Sequence, residues 1–104
     1  HMQILFICGN GVSSGMIASR TESAGIEKGY DAHTDAYSYT QLEDVIDDFD
    51  VVMVAPQIQF QEPLIKEICE EHRKPYALID PTAYSMLDGA KVFDQAINAI
   101  EKGE

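Results

Sequence analysis

Short apolar runs alternate along this chain with segments whose apolar residues recur at helical spacing. Residues 3–7, Gln-Ile-Leu-Phe-Ile, are apolar almost without a break, and residues 51–55, Val-Val-Met-Val-Ala, form a second such run. A half-exposed strand alternates apolar and polar positions, whereas an unbroken apolar run marks a strand covered on both faces, as in a parallel sheet. Residues 76–80, Tyr-Ala-Leu-Ile-Asp, give another strand, stopped by Pro81, and the small and polar residues of 30–38 predict a short strand at an edge. A helix is predicted from a cap near Ser13 to about Lys28, with apolar points at Val12, Met16, Ile17, Ala24 and Ile26 and an end weakened by Gly25 and Gly29. Thr40 opens a short helix with Leu42, Val45, Ile46 and Phe49 on its inner side. Residues 62–74 predict an amphipathic helix whose stripe is Leu64, Ile65, Ile68 and Cys69, and residues 89–102 a last one built on Val92, Phe93, Ala96, Ile97 and Ile100.

The resulting order, βαβαβαβα, predicts an α/β fold. It is a single three-layer domain over residues 1–104, with a four-stranded parallel sheet and helices on both faces. Right-handed crossovers favour the strand order 2-1-3-4, a trimmed flavodoxin-like sheet. Ligands of such sheets bind beyond the C-terminal ends of the strands, where the strand order reverses. That point lies between the first and third strands, at residues 8–15 and 56–60. His1 reads as the remnant of a tag and is given no role.

Composition narrows the function. Seven basic against 18 acidic residues give a formal charge of −11, which repels nucleic acids and anionic lipid. No apolar run reaches the length needed to cross a bilayer, and no leader precedes the first strand, so a cytoplasmic location is expected. The two cysteines, Cys8 and Cys69, lie far apart, with no CxxC pair and no metal-ligand spacing, so no metal site is expected. Cys69 belongs to an apolar helix stripe and reads as core. His33 and His72 read as surface or edge residues, and Asp44, Asp47, Asp48 and Asp50 as a solvated cluster. Tyr37 and Tyr39 read as packing at a strand end.

Cys8 is different. It ends the first apolar run and opens the loop Gly9-Asn10-Gly11-Val12-Ser13-Ser14-Gly15, which holds three of the chain's seven glycines. Glycines let successive backbone N–H groups converge on an anion, and the following helix adds its positive end. The same field favours a thiolate, so Cys8 is expected to be nucleophilic at neutral pH. Its sulfur is suited to take up a phosphoryl group held by the loop's amides. Neither a GxGxxG nor a Walker pattern is present.

Low-molecular-weight tyrosine phosphatases share the expected topology and use C-x5-R, the arginine clamping phosphate. Here the sixth position after Cys8 is Ser14, and Arg20 lies more than a helical turn farther on. Asp80-Pro81 matches the general-acid Asp-Pro of those enzymes, although it also reads as a strand stop. A cysteine phosphatase of this type is the alternative to a phosphate carrier. A receiver module lacks its aspartates at the strand ends, and a redox role lacks a resolving cysteine near Cys8.

The segments ILFICGNGVSSGM, VVMVAPQIQF and ALIDPTAYSMLDGAKVFDQAI together resemble enzyme IIB of the lactose/cellobiose (chitobiose) family of the phosphoenolpyruvate-dependent sugar phosphotransferase system. The resemblance implies that Cys8 is the phosphocysteine. It would accept a phosphoryl group from a histidine of enzyme IIA and pass it to a sugar bound by the membrane permease, enzyme IIC. It further implies that Gly9 to Gly15 cradle the phosphate, that Pro56-Gln57-Ile58 flank the site, and that Tyr84 and Asp88-Gly89 belong to a shared block. No metal or organic cofactor is implied.

Overall fold

The structure is a computed structural model that describes residues 1–9 and 14–102. Four parallel strands, β1 (Met2–Cys8), β2 (Ala32–Ser38), β3 (Val51–Val54) and β4 (Tyr76–Leu78), form one sheet in the order β2-β1-β3-β4, as expected. The register aligns Ile4 of β1 with Thr34 and Val51 of its two neighbours, and Val54 of β3 with Leu78 of β4.

The unbroken apolar runs are explained by what covers them. On one face, Leu5, Ile7, Val52 and Val54 pack with Leu42, Ile46 and Phe49 and with Ile65, Ile68 and Cys69. These come from α2 (Leu42–Val45), which is flanked by 3₁₀ turns at Tyr39–Gln41 and Ile46–Asp48, and from α3 (Glu62–Glu71). On the other face, Ile4, Phe6, Val51 and Met53 pack with Ile17 and Ala18 and with Val92, Phe93 and Ala96. These belong to α1 (Gly15–Glu27) and α5 (Gly89–Lys102). Each central strand thus buries both sets of its alternating side chains, and the three layers follow.

Of the two glycines expected to weaken the end of α1, Gly25 reads differently and Gly29 does stand at that end. Gly25 packs α1 onto its neighbours: a Cβ there would stand 2.6 Å from the Phe93 ring and 2.9 Å from the Ala32 methyl. Gly29, at φ +93°, closes the helix, with its N–H donating to Ile26 O at 2.9 Å and that of Tyr30 donating to Gly25 O at 3.0 Å. The predicted stripe of α3 is shifted, because Leu64 is exposed while Ile65, Ile68 and Cys69 are buried. Met16 and Ile26 of α1 likewise face solvent. Two short elements have no counterpart in the predicted order: a 3₁₀ segment at Pro56–Gln61 and the five-residue α4 (Pro81–Ser85). Both are too short to produce an apolar period.

Candidate functional site

The order of the sheet places β1 between β2 and β3, so the end of β1 lies at the switch point. Cys8 is the last residue of β1, aligned with Ser38 of β2, and it is fully buried. The strand's alternation lapses there, and Cys8 joins the cluster of Leu42, Ala55 and Ile58, against which Tyr37, Tyr39 and Tyr84 pack. Neither Cys8 nor Cys69 is in a disulfide. Burial, with a smaller contribution from Glu70, pushes the Cys69 thiol up to about 12, which leaves it protonated and inert at neutral pH.

Gly9 follows at the surface. Its carbonyl accepts a hydrogen bond from Ser38 Oγ at 3.1 Å, and that hydroxyl also accepts from the N–H of Thr40 at 3.2 Å. The N–H of Ser38 donates to Gln41 Oε1 at 3.2 Å, completing a capping box. The first residue of the loop is therefore tied to the end of β2. A Cβ on Gly9 would meet Ile58 Cγ2 at 3.8 Å, so the Pro56–Gln61 segment lies against the loop's start. Within that segment Pro56 is half-buried and Gln57 exposed.

Asn10, Gly11, Val12 and Ser13, all expected in the phosphate loop, lie outside the described residues. The chain is described again at Ser14 and Gly15, where α1 begins. Ser14 is fully buried, and its Oγ lies 3.2 Å from the phenolic oxygen of Tyr84. It occupies the N-cap position of α1 in helical backbone, φ −94° and ψ −1°, and its side chain caps no N–H of the first turn. No acidic residue lies in that turn, so the positive end of the helix faces the loop without an opposing charge of its own. Pairing across 70 residues makes Tyr84 a part of the site. The sequence resemblance had marked it only as a member of a shared block.

The features that suggested a phosphatase are placed otherwise. Ser14, where a clamp arginine would stand, is buried against Tyr84, and Arg20 is exposed on α1. Asp80 is the N-cap of α4: its Oδ2 accepts from Ala83 N–H at 2.9 Å, while its own N–H donates to Gln95 Oε1 at 3.0 Å. Asp80 thus caps α4 two residues after the end of β4.

Asp44, Asp47, Asp48 and Asp50 are exposed, as expected, and His72 is partly buried after the end of α3, its Nδ1 2.9 Å from Asp47 Oδ1. Among the described residues, Glu43, Glu71 and His72 come together, as do His1, Asp31 and His33. No loop residue belongs to either group, and no helix of the described residues is long and apolar enough to cross a membrane.

Comparison with known families decides the assignment. Residues 3–95 match the family described as "PTS system, Lactose/Cellobiose specific IIB subunit". The chain belongs to this IIB family. It is thus a component of a sugar phosphotransferase system and a phosphotransferase by family. The oligo-beta-mannoside-specific EIIB component of Bacillus subtilis (strain 168) is 24% identical over 92% of this chain and 93% of its own length. The lactose-specific EIICB component of Lacticaseibacillus casei is 25% identical over 97% of this chain, which spans only 17% of that longer protein. Among solved structures, the cellobiose-specific IIB component of Borrelia burgdorferi is 36% identical, with a TM-score of 0.81 over 99% of this chain and 94% of that one. The lactose-specific IIB domain of Streptococcus pneumoniae shares the fold, with a TM-score of 0.84 over 95% of this chain and 97% of that one, at 15% identity. The IIB fold therefore accounts for the strand order and for the position of Cys8 at the switch point.

Proposed function

We propose that Cys8 is a phosphocysteine that carries a phosphoryl group from enzyme IIA to a sugar held by the membrane permease, enzyme IIC, on the cytoplasmic side. The observation that carries this reading is the position of Cys8. It ends the strand at the switch point, beside a loop that runs into the open N-terminus of α1. In the first step the Cys8 thiolate attacks phosphorus, an S–P bond forms, and the P–N bond to the protonated phosphohistidine ring of IIA breaks, leaving neutral imidazole. In the second, a sugar hydroxyl gives its proton to a base of IIC and attacks phosphorus, the O–P bond forms, the S–P bond breaks, and the thiolate leaves. Such transfers depend mainly on positioning and on stabilising the phosphoryl charge. The backbone amides of the loop and of the first turn of α1 supply that stabilisation, and the absence of a clamp arginine and of a placed general acid suits transfer better than hydrolysis.

Docking needs an apolar surface near the sulfur. Met16, Phe60 and Met86 are all strongly exposed. Each follows the C-terminal end of a strand: Met16 opens α1, Phe60 lies in the segment after β3, and Met86 follows α4. All three therefore follow strand ends on the side of the sheet where Cys8 ends β1, the side a partner must reach. Because Cys8 is covered, transfer also entails a local movement that exposes the sulfur when the partner docks. The relatives named above serve three different sugars, so the choice of sugar is assigned to IIC.

The test is intact mass after incubation with phosphoenolpyruvate, the general phosphotransferase proteins and a matching IIA. Wild type and Cys69→Ser are expected to gain one phosphoryl group and Cys8→Ser none. Cys8-dependent steady hydrolysis of an aryl phosphate, with no adduct formed, would replace the carrier by a phosphatase.

A further inference from the structure

We infer that Tyr84 is a positioning residue for the phosphoryl group on Cys8, acting through Ser14. The inference rests on the phosphocysteine reading above and assigns the group that keeps the phosphate cradle open. A serine at an N-cap ordinarily has extended backbone and turns its hydroxyl onto the N–H of the second or third helical residue. Ser14 does neither. Its backbone is helical, its side chain caps none of those groups, and its hydroxyl is instead 3.2 Å from that of Tyr84. Either hydroxyl can donate in this pair.

The diversion matters because the first-turn N–H groups of α1 are the donors that a phosphoryl group at the switch point would use. A capping Ser14 would occupy one of them. Tyr84 is well placed to prevent that. It lies on α4, whose start is fixed by the Asp80 cap, and it packs against the clusters on both faces of the sheet. Ser14 is fully buried, so water does not compete for its hydroxyl. Removing the phenolic oxygen releases Ser14 to take up the extended N-cap conformation, in which its hydroxyl turns onto the helix and competes with the phosphate.

A double-mutant cycle in the full chain tests this. Tyr84→Phe, Ser14→Ala and the double variant are phosphorylated through IIA, and the ³¹P resonance of the phosphocysteine is titrated with pH. Amides that bind the dianion hold its second ionisation low. In Tyr84→Phe the midpoint is expected to rise by about one pH unit, and the equilibrium constant for phosphorylation to fall about tenfold, the value of one hydrogen bond to a charged group. In the Ser14→Ala background, Tyr84→Phe is expected to move the midpoint by no more than about 0.3 pH unit and the equilibrium constant by no more than about twofold, because the competing hydroxyl is gone. A purely structural defect would not be relieved in this way, and melting curves run alongside identify one. Equal effects of Tyr84→Phe in both backgrounds, or no effect in either, overturn the inference while leaving the carrier reading intact. Wild type that acquires no phosphoryl group on Cys8 overturns both.

Discussion

Gly89→Ala sets two physical effects against each other, and their magnitudes predict which wins. Alanine is favoured over glycine in a helix by up to about 1 kcal/mol, so propensity alone makes the change stabilising. Gly89, however, is the first residue of α5 and is buried where that helix crosses α1. A Cβ there would stand 2.3 Å from the carbonyl oxygen of Arg20, 2.4 Å from its carbonyl carbon and 2.8 Å from the Thr21 nitrogen. These are backbone atoms in mid-helix, which no rotamer change can move. Relief requires the two helices to part, and overpacking of this kind costs about 1–3 kcal/mol or more. With contacts this short the upper end applies, giving a net loss of about 2 kcal/mol. For a chain of this size that lowers the melting temperature by roughly 8–16 °C. In urea the midpoint should fall with an unchanged slope, since the surface exposed on unfolding is the same. Gly15→Ala is the control, since a Cβ there meets nothing within 4 Å among the described residues and should not destabilise. A Gly89→Ala protein as stable as wild type would refute the reasoning, because it would mean that α1 and α5 separate at no cost.

Further outcomes follow from the same structure. Asp80→Ala should lose about 1 kcal/mol of stability with its cap, yet leave the rate of Cys8 phosphorylation and the release of inorganic phosphate unchanged; a general acid would betray itself in the release rate. Phe60→Ser combined with Met86→Ser should slow phosphorylation by IIA at limiting donor and leave the melting temperature nearly unaltered, as both side chains are exposed. Stability should fall at high pH. Burial first, then Glu70, raises Cys69 to about 12, and burial first, then the Glu62 hydrogen bond, raises Tyr76 to about 12. The folded chain therefore keeps protons that the unfolded chain loses above about pH 9 for cysteine and 10 for tyrosine. Their contribution is complete below those values and is lost as pH rises towards 12, at up to about 1.4 kcal/mol per pH unit for Cys69. Urea midpoints measured from pH 8 to 11 should show the decline, and Cys69→Ala should flatten it.

Much of the architecture was legible because β1 and β3 are buried on both faces and carry nearly unbroken apolar runs. The position of Cys8 was legible too, since an alternating β/α order with a 2-1-3-4 sheet puts the end of β1 at the switch point, and Cys8 stands there. The features that escaped depend on distance rather than pattern. Leu64 lies beside the buried stripe of α3, and one residue decides which side of its border is covered. Gly25 looks like a weak point in a helix until the Phe93 ring is seen to need its missing side chain. Ser14 and Tyr84 are 70 residues apart, and His72 and Asp47 are 25 apart, with nothing periodic to link them. The depth of Cys8 was hidden for the same reason, because the cluster it joins includes Leu42, Ala55 and Ile58, which lie far along the chain.

The two ends of the described residues lie on the side of the sheet away from Cys8. β1 enters at the rim opposite Cys8, where Gln3 N–H donates to Asp50 at the start of β3 and His1 lies by Asp31 at the start of β2. α5 leaves towards that same rim, since Lys102 lines a groove with Lys74, Pro75 and Tyr76 at the start of β4. Six strand steps, roughly 20 Å, separate this rim from the sulfur. Peptide joined at either end would therefore emerge on the far side of the sheet and leave the docking rim clear. The carrier could hang on a flexible tether, and the length of the tether would set the local concentration of phosphocysteine at its acceptor without altering a single contact of the site.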